Sequence, residues 1–296
     1  MISLCVFSRN RPMQLDAFLK SLVNAPYITD VNVLYTYDEF HDGVDMKFRD
    51  AYNIVKQEHP NINFIQEGRN RGAWKDQILT LVEGFQDYFL WATDDSLFYR
   101  PTTLTQDKLD WAFGDKGALS INLRMGLNVI WQNHWHSEKV PSFTVTDKHE
   151  DLIVWDATNI SVNNDVGRVW QNDASIMPRE LYLDRLMEET HWYKGAGCRA
   201  LDNVGQSGGI FTPRIAAAFD QSAYLNVPVN LVHYLDNGRL YADNWGKFVR
   251  QDIHMLNDLF MEGKRIDWKS IDTEGLDCGR KEVEYTYETS TMRNAP

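Results

Sequence analysis

"FLWATDDSLFYRP", residues 89–101, poses the question on which the fold turns. Four apolar residues, Phe89 to Ala92, lead through Thr93 into two adjacent carboxylates, Asp94 and Asp95, before an aromatic stretch that stops at Pro101. Burying an unpaired carboxylate is strongly unfavourable, so such a doublet at the end of an apolar run needs a reason. A turn or helix cap is one reason, since Asp and Ser are favoured there. A hard-cation site at the carboxyl end of a strand is another, because open α/β sheets bind their ligands at that end.

The flanking sequence separates the two. Residues 2–8, "ISLCVFS", read as a buried strand, and 13–25, opening after Pro12, as an amphipathic helix. Residues 30–38 predict a second strand and 45–59 a helix closed by Pro60. Residues 61–68 predict a third strand, 73–86 a helix after the loop "RNRG", and 88–93 a fourth strand. Such alternation predicts an α/β fold, a mostly parallel sheet flanked by helices. The doublet then falls at the carboxyl end of the fourth strand, which favours the ligand-site reading.

Beyond that point the pattern weakens. Residues 104–114 predict a helix, "ALSINLRMG" and "NVIWQN" strands, and 175–187 a helix opening near Pro178. A glycine-rich stretch, 195–211, reads as a loop or lid, 246–263 as a helix, and the last thirty residues as an extended tail with weak β alternation in "EVEYTYE". The pattern divides the chain at about residues 110 and 235, with 236–296 a helix and tail.

Composition narrows the classes. With 43% hydrophobic and 24% charged residues the 296-residue chain reads as globular and large enough for a real core. Its net charge of −12 opposes a broad grip on nucleic acid or anionic membrane. Three scattered cysteines, Cys5, Cys198 and Cys278, offer neither a disulfide framework nor zinc spacing. No apolar run reaches membrane-spanning length and "MISLCVFSRNRP" is too short for a signal peptide, so a cytoplasmic protein is expected. There is no Walker A loop, and "SRNRP" stands where a dinucleotide fingerprint would lie.

Four pieces carry a family likeness. Ser8, Arg9, Asn10 and Arg11 close the first strand, and Asp38 closes the second in "LYTYDE". Asn70, Gly72 and Lys75 lie in "RNRGAWKDQ", and Thr93-Asp94-Asp95 closes the fourth strand. In order and spacing these motifs resemble the nucleotide-sugar-dependent glycosyltransferases with the GT-A fold, most closely the family 2 type. The resemblance covers residues 1 to 110 well and extends more loosely to about 187. It implies that 1–110 form the nucleotide-sugar-binding half, 111–235 the acceptor-binding and catalytic half, and 236–296 a C-terminal helix and extended tail. It departs at the family's Asp-x-Asp site, which here reads Thr-Asp-Asp, a version some members carry.

The resemblance implies a donor, a UDP-linked sugar, and a cation, Mn2+ or Mg2+. Ser8, Asn10 and Arg11 would hold the donor, Asp38 would read the base, Asp95 would ligate the metal, and Asp94 would contact the ribose or support the ligand shell. His233 falls where many such enzymes supply a late metal ligand. Arg69, Arg71 and Lys75 put positive charge on the third-strand loop, suited to a diphosphate or simply to solvent. Inverting transfer also needs a base for the acceptor hydroxyl. Asp173 in "WQNDASIMPRELY" matches the family's acceptor-side segment, though Asp173 or Ser175 also suits a helix N-cap. Asp165 and Asp156 are weaker candidates.

His134 and His136 share a spacing of two without an obvious third ligand. Trp131, Trp135, Trp155, Trp170 and Trp192 suit either ring stacking on a sugar or base, or ordinary packing. The expected activity is metal-dependent glycosyl transfer to a glycan, a lipid-linked saccharide, a small molecule or a hydroxymethylated DNA base. Sugar-phosphate nucleotidyl transfer and a noncatalytic nucleotide- or sugar-binding module are the alternatives. The first lacks its glycine- and arginine-rich loop, and the second leaves the carboxylates unexplained.

Overall fold

The structure, a computed structural model, describes residues 1–41, 44–45, 47–68, 71–94, 96–123, 126, 144–156, 175–180, 183, 215–221, 223–226, 253–270 and 287–289. Its first half follows the alternation read from the sequence. Strand β1 (Ile2–Arg9) runs into α1 (Pro12–Ser21), then β2 (Ile28–Thr36), a short ribbon of β3 (Phe40–His41) and β4 (Val44–Asp45), and α2 (Phe48–Glu58). Next come β5 (Asn63–Gln66), α3 (Arg71–Gly84), β6 (Tyr88–Thr93) and β7 (Ser96–Phe98). Pro12 opens α1 because its fixed φ suits a first helical turn, where an N–H would be orphaned anyway.

Strands β5, β2, β1 and β6 lie side by side and all parallel. The chain steps outward from β1 to β2 to β5, then returns to the far side of β1 to lay down β6. That reversal opens a crevice between the carboxyl ends of β1 and β6, the place where doubly wound sheets take ligands. In register, Cys5 of β1 faces Asn32 of β2 on one side and Trp91 of β6 on the other.

Successive residues of these strands point to opposite faces, and both faces are covered. Leu4, Val6, Leu90 and Ala92 belong to the main core with Leu15 and Phe18 of α1 and Tyr52 and Val55 of α2. Cys5, Phe89 and Trp91 alternate with them and are also buried. On that second face Phe85, just past α3, packs its ring 5.6 Å from Phe89. Burial raises the Cys5 thiol to about 12, so it is an inert packing group.

Beyond β6 the sheet becomes mixed. α4 (Gln106–Leu109), capped by the Thr105 hydroxyl, continues as a wider helical turn to Asp115. β8 (Ile121–Asn122), the hairpin of β9 (Thr144–His149) and β10 (Leu152–Asp156), β11 (Ser175–Pro178) and β12 (Ile215–Phe219) complete nine strands in the order β5-β2-β1-β6-β11-β8-β12-β10-β9. β11 is antiparallel to β6, and β13 (Tyr224–Asn226) pairs with β7. Ser175 is therefore a strand residue, bonded to Asn122 at 3.1 Å, and the helix-cap reading of Ser175 is overturned; helical backbone begins only after Pro178.

The last described part folds back onto the first. α5 (Ile253–Met261) packs against α1 and α2, and β14 (Lys264–Ile266) pairs with β15 (Tyr287–Thr289), so these three residues of the expected tail are a strand. Arg265 fastens this piece: it is 3% exposed and forks onto Glu58 of α2 through Nε, at 3.2 Å, and Nη2. It also stands 3.7 Å from Asp16 of α1, a fully buried carboxylate held by Lys20 at 2.8 Å and His59 at 2.9 Å. A buried charge persists only when paired in this way. Among the described residues no helix is long and apolar enough to cross a membrane.

Candidate functional site

Three loops leave the carboxyl ends of β1, β2 and β6 and meet over the crevice. Asn10 of the first has φ 57°, the left-handed region that Asn tolerates better than most residues. Its side chain ties the second loop down twice: Nδ2 donates to Asp38 Oδ2 at 2.6 Å, and the Asp38 N–H donates to Asn10 Oδ1 at 2.8 Å. Arg9 reaches the same carboxylate at 3.4 Å. Asp38 stays half exposed, with side-chain accessibility of 47%, so it is oriented yet open to a ligand.

Arg11 joins the first loop to the third. Its Nη1 lies 2.9 Å from Asp94 Oδ1, across the crevice, and the Asp94 N–H donates to the Phe7 carbonyl at 3.2 Å. Asp94 is 2% exposed at its side chain and Arg11 18%. Beneath the pair lies Tyr52 of α2, fully buried. Its hydroxyl shares a 2.7 Å hydrogen bond with Ser8 Oγ and accepts from the Arg11 N–H at 3.3 Å. Burial and the nearby negative charge of Asp94 raise its pKa, so this hydroxyl stays protonated as a fixed prop. Its ring sits 4.9 Å from that of Tyr35 and 6.0 Å from that of Tyr37, an aromatic floor under the β2 loop.

The third-strand loop begins with Glu67, whose N–H donates to the Tyr35 carbonyl at 2.8 Å. Burial raises its pKa and the Arg9 charge partly opposes this, which brings Glu67 into the same electrostatic neighbourhood. Gln77 of α3 then clamps the loop, accepting from the Gly68 N–H at 2.6 Å and donating to the Gln66 carbonyl at 2.9 Å. Gly68 is required by contact: a Cβ there would stand 2.7 Å from the Cβ of Ala73.

Of the residues singled out from the sequence, Ser8, Arg11 and Asp94 are thus joined through Tyr52, and Asn10 and Asp38 are bonded to each other beside them. Lys75 sits early in α3, and Arg71 begins that helix, its side chain outside the described residues. Arg69, Asn70, Asp95, Asp165, Asp173, His134, His136 and His233 lie outside the described residues, as do the 195–211 stretch and Trp131, Trp135, Trp170 and Trp192. Asp156 ends β10, four strands from β6, or about 19 Å across the sheet at ~4.8 Å per strand. Sequence reading missed Tyr52, which looks like one more apolar-face residue of α2. Among the described residues no three His, Cys, Asp or Glu side chains form a group fit to hold a metal ion.

Two guanidinium–carboxylate pairs, propped by Asn10 and Tyr52 at the mouth of a parallel sheet, suit a ligand with both an acidic N–H edge and phosphate oxygens. No protein-family model matches the chain. The bifunctional glycosyltransferase pgtA of Dictyostelium discoideum is 28% identical over 141 residues, which cover 44% of this chain and 17% of that protein. The chain thus matches only a small part of that relative's length. The resemblance to glycosyltransferases read from the motifs is met by this similarity.

Among solved structures, S. aureus TarS aligns with TM-score 0.44 and 14% identity over 75% of this chain and 36% of its own. Its residues 1–349 in complex with UDP give 0.46 and 15% over 75% and 59%. An apo UDP-glucose pyrophosphorylase gives 0.37 and 11% over 76% and 93%.

Proposed function

We propose that this chain transfers a sugar from a nucleoside diphosphate, UDP-linked, to an acceptor hydroxyl with inversion. The observation that carries the proposal is the network at the β1/β6 crevice, where Asn10 presents Asp38 and Arg11 meets Asp94. The half-exposed Asp38 accepts the base N–H, while Arg11 faces the diphosphate; Arg69, with Arg71 and Lys75 from the start of α3, would add positive charge for it. Oxygen donors of the Asp94–Asp95 doublet are hard ligands of the kind Mn2+ and Mg2+ prefer, and these residues with His233 would hold the cation. When bound, such a cation neutralises charge on the departing diphosphate.

In the transfer step the bond between the anomeric carbon and the diphosphate oxygen breaks as the acceptor oxygen forms its own bond to that carbon. The acceptor proton passes to Asp173, and the electron pair leaves on the diphosphate. A saccharide, a lipid-linked saccharide, a small molecule or a hydroxymethylated base meets the requirement for a hydroxyl.

Melting curves with a panel of nucleotides and nucleotide sugars, in EDTA and in Mn2+, test the donor. A specific ligand raises the apparent melting temperature according to its concentration over Kd. UDP and one UDP-sugar are expected to do so. No shift with any nucleoside diphosphate, or a shift with UTP and a sugar phosphate alone, would remove the proposal. Asp173→Asn then separates chemistry from binding: donor affinity is retained and turnover falls by about 10² to 10⁴. Full turnover in that variant would return the search to Asp165.

A further inference from the structure

We propose that Arg11 guards Asp94, so that a divalent cation is admitted with the nucleoside diphosphate and not before it. This rests on the donor reading above. The ion pair spans the crevice at 2.9 Å, with both side chains largely withdrawn from water. Each partner is also anchored by its backbone: Arg11 N–H on the Tyr52 hydroxyl, Asp94 N–H on the Phe7 carbonyl. The contact is therefore built into both loops. Lys cannot substitute for it fully, since the planar fork of Arg is what meets carboxylate and phosphate alike.

Separating a buried pair leaves a charge uncompensated, which is strongly unfavourable. In the nucleotide-free protein a cation competes for Asp94 against a guanidinium already seated there. A diphosphate changes the balance because it offers Arg11 phosphate oxygens, with geometry as good as a carboxylate's. Arg11 then passes from carboxylate to phosphate, and Asp94, beside Asp95 in sequence, is released to a cation that the phosphates also attract. The two ligands exchange one arginine. Their coupling is reciprocal: UDP tightens Mn2+ by the factor that Mn2+ tightens UDP.

The test compares wild type with Arg11→Met. Free Mn2+ is followed by its EPR signal without nucleotide, and UDP binding by calorimetry in EDTA and in Mn2+. In wild type, UDP is expected to tighten Mn2+ by about tenfold or more. In Arg11→Met, Mn2+ alone should bind about tenfold tighter than in wild type, UDP in EDTA about tenfold weaker, and the coupling should shrink toward one.

Adding Asp94→Asn to Arg11→Met should erase the gain in Mn2+ affinity. Unchanged or weaker Mn2+ binding by the folded Met variant, or a gain that survives Asp94→Asn, overturns the proposal. Should the Met variant not fold, Arg11→Lys must fall between wild type and a tenfold gain in Mn2+ affinity, and no change there also overturns it. If UDP binds wild type under neither condition, the donor reading fails. The Mn2+ arm, which needs no nucleotide, reports on Arg11 separately.

Discussion

Asn10 shows how much one residue can settle. It occupies a left-handed backbone position, closes a 3.3 Å backbone bond to the Thr36 carbonyl, and fixes Asp38 through two hydrogen bonds. Asn10→Ala removes both side-chain bonds and the polar side chain that makes a left-handed φ tolerable, so stability should fall by about 1–3 kcal/mol. Asn10→Gly relieves the backbone and should recover part of that loss, while the affinity for UDP stays reduced in both, because Asp38 is no longer aimed. Urea denaturation and calorimetry of the two variants check this; equal stability of Ala and Gly would show that φ is not limiting. Asn10 and Asp38 were legible as polar residues at consecutive strand ends. Tyr52 was not: its hydroxyl acquires a role only through Ser8, 44 residues away, and Arg11 meets Asp94 across 83.

Elements were legible to the extent that their causes are local. β1, α1, β2, α2, β5, α3 and β6 each carry their own apolar period, and the fourth strand matches its expected bounds, Tyr88–Thr93. β8 has two residues, and β12 is the alanine-rich Ile215–Phe219, so neither has a period to read; their pairing is set by distant partners. The β9–β10 hairpin lies in the mixed stretch 134–165 for the same reason. The β5–α3 joint offers a test of packing at this scale. Gly68→Ala should drive a methyl into Ala73 and lower stability by about 1–3 kcal/mol. Adding Ala73→Gly removes the clash, although glycine in a helix costs about 1 kcal/mol by itself. The double variant should therefore be more stable than the sum of the single losses, and strict additivity in a denaturation cycle would refute the contact.

Across the whole molecule, the cluster around Asp16 joins parts of the chain that have no local relation. Burial by itself would raise the Asp16 pKa, but the hydrogen bond from His59 and the charge and hydrogen bond of Lys20 outweigh it, and the value is lowered. Its contribution to stability is thus complete above the unfolded-state value of about 3.9 and is lost as pH falls through the lower folded-state value. Asp16→Asn should cost about 3–5 kcal/mol near neutrality, since Arg265 and Lys20 lose their shared counter-charge. The gap between wild type and variant should narrow in acid below about pH 4. Thermal melts across that range decide it, and a gap independent of pH would show that Asp16 acts through shape alone.

The distance in sequence between the two halves of that clamp also sets a clock. Glu58 and Arg265 are 207 residues apart. At ~5–20 residues per second, a ribosome that has finished α2 needs roughly 10–40 s to deliver the arginine that α2 is shaped to receive. During that interval the emerging N-terminal half holds Glu58 and Asp16 without their guanidinium. Its final docking is therefore a late event of biosynthesis, and a nascent chain stalled before residue 253 should be far more open to protease than one stalled beyond 270.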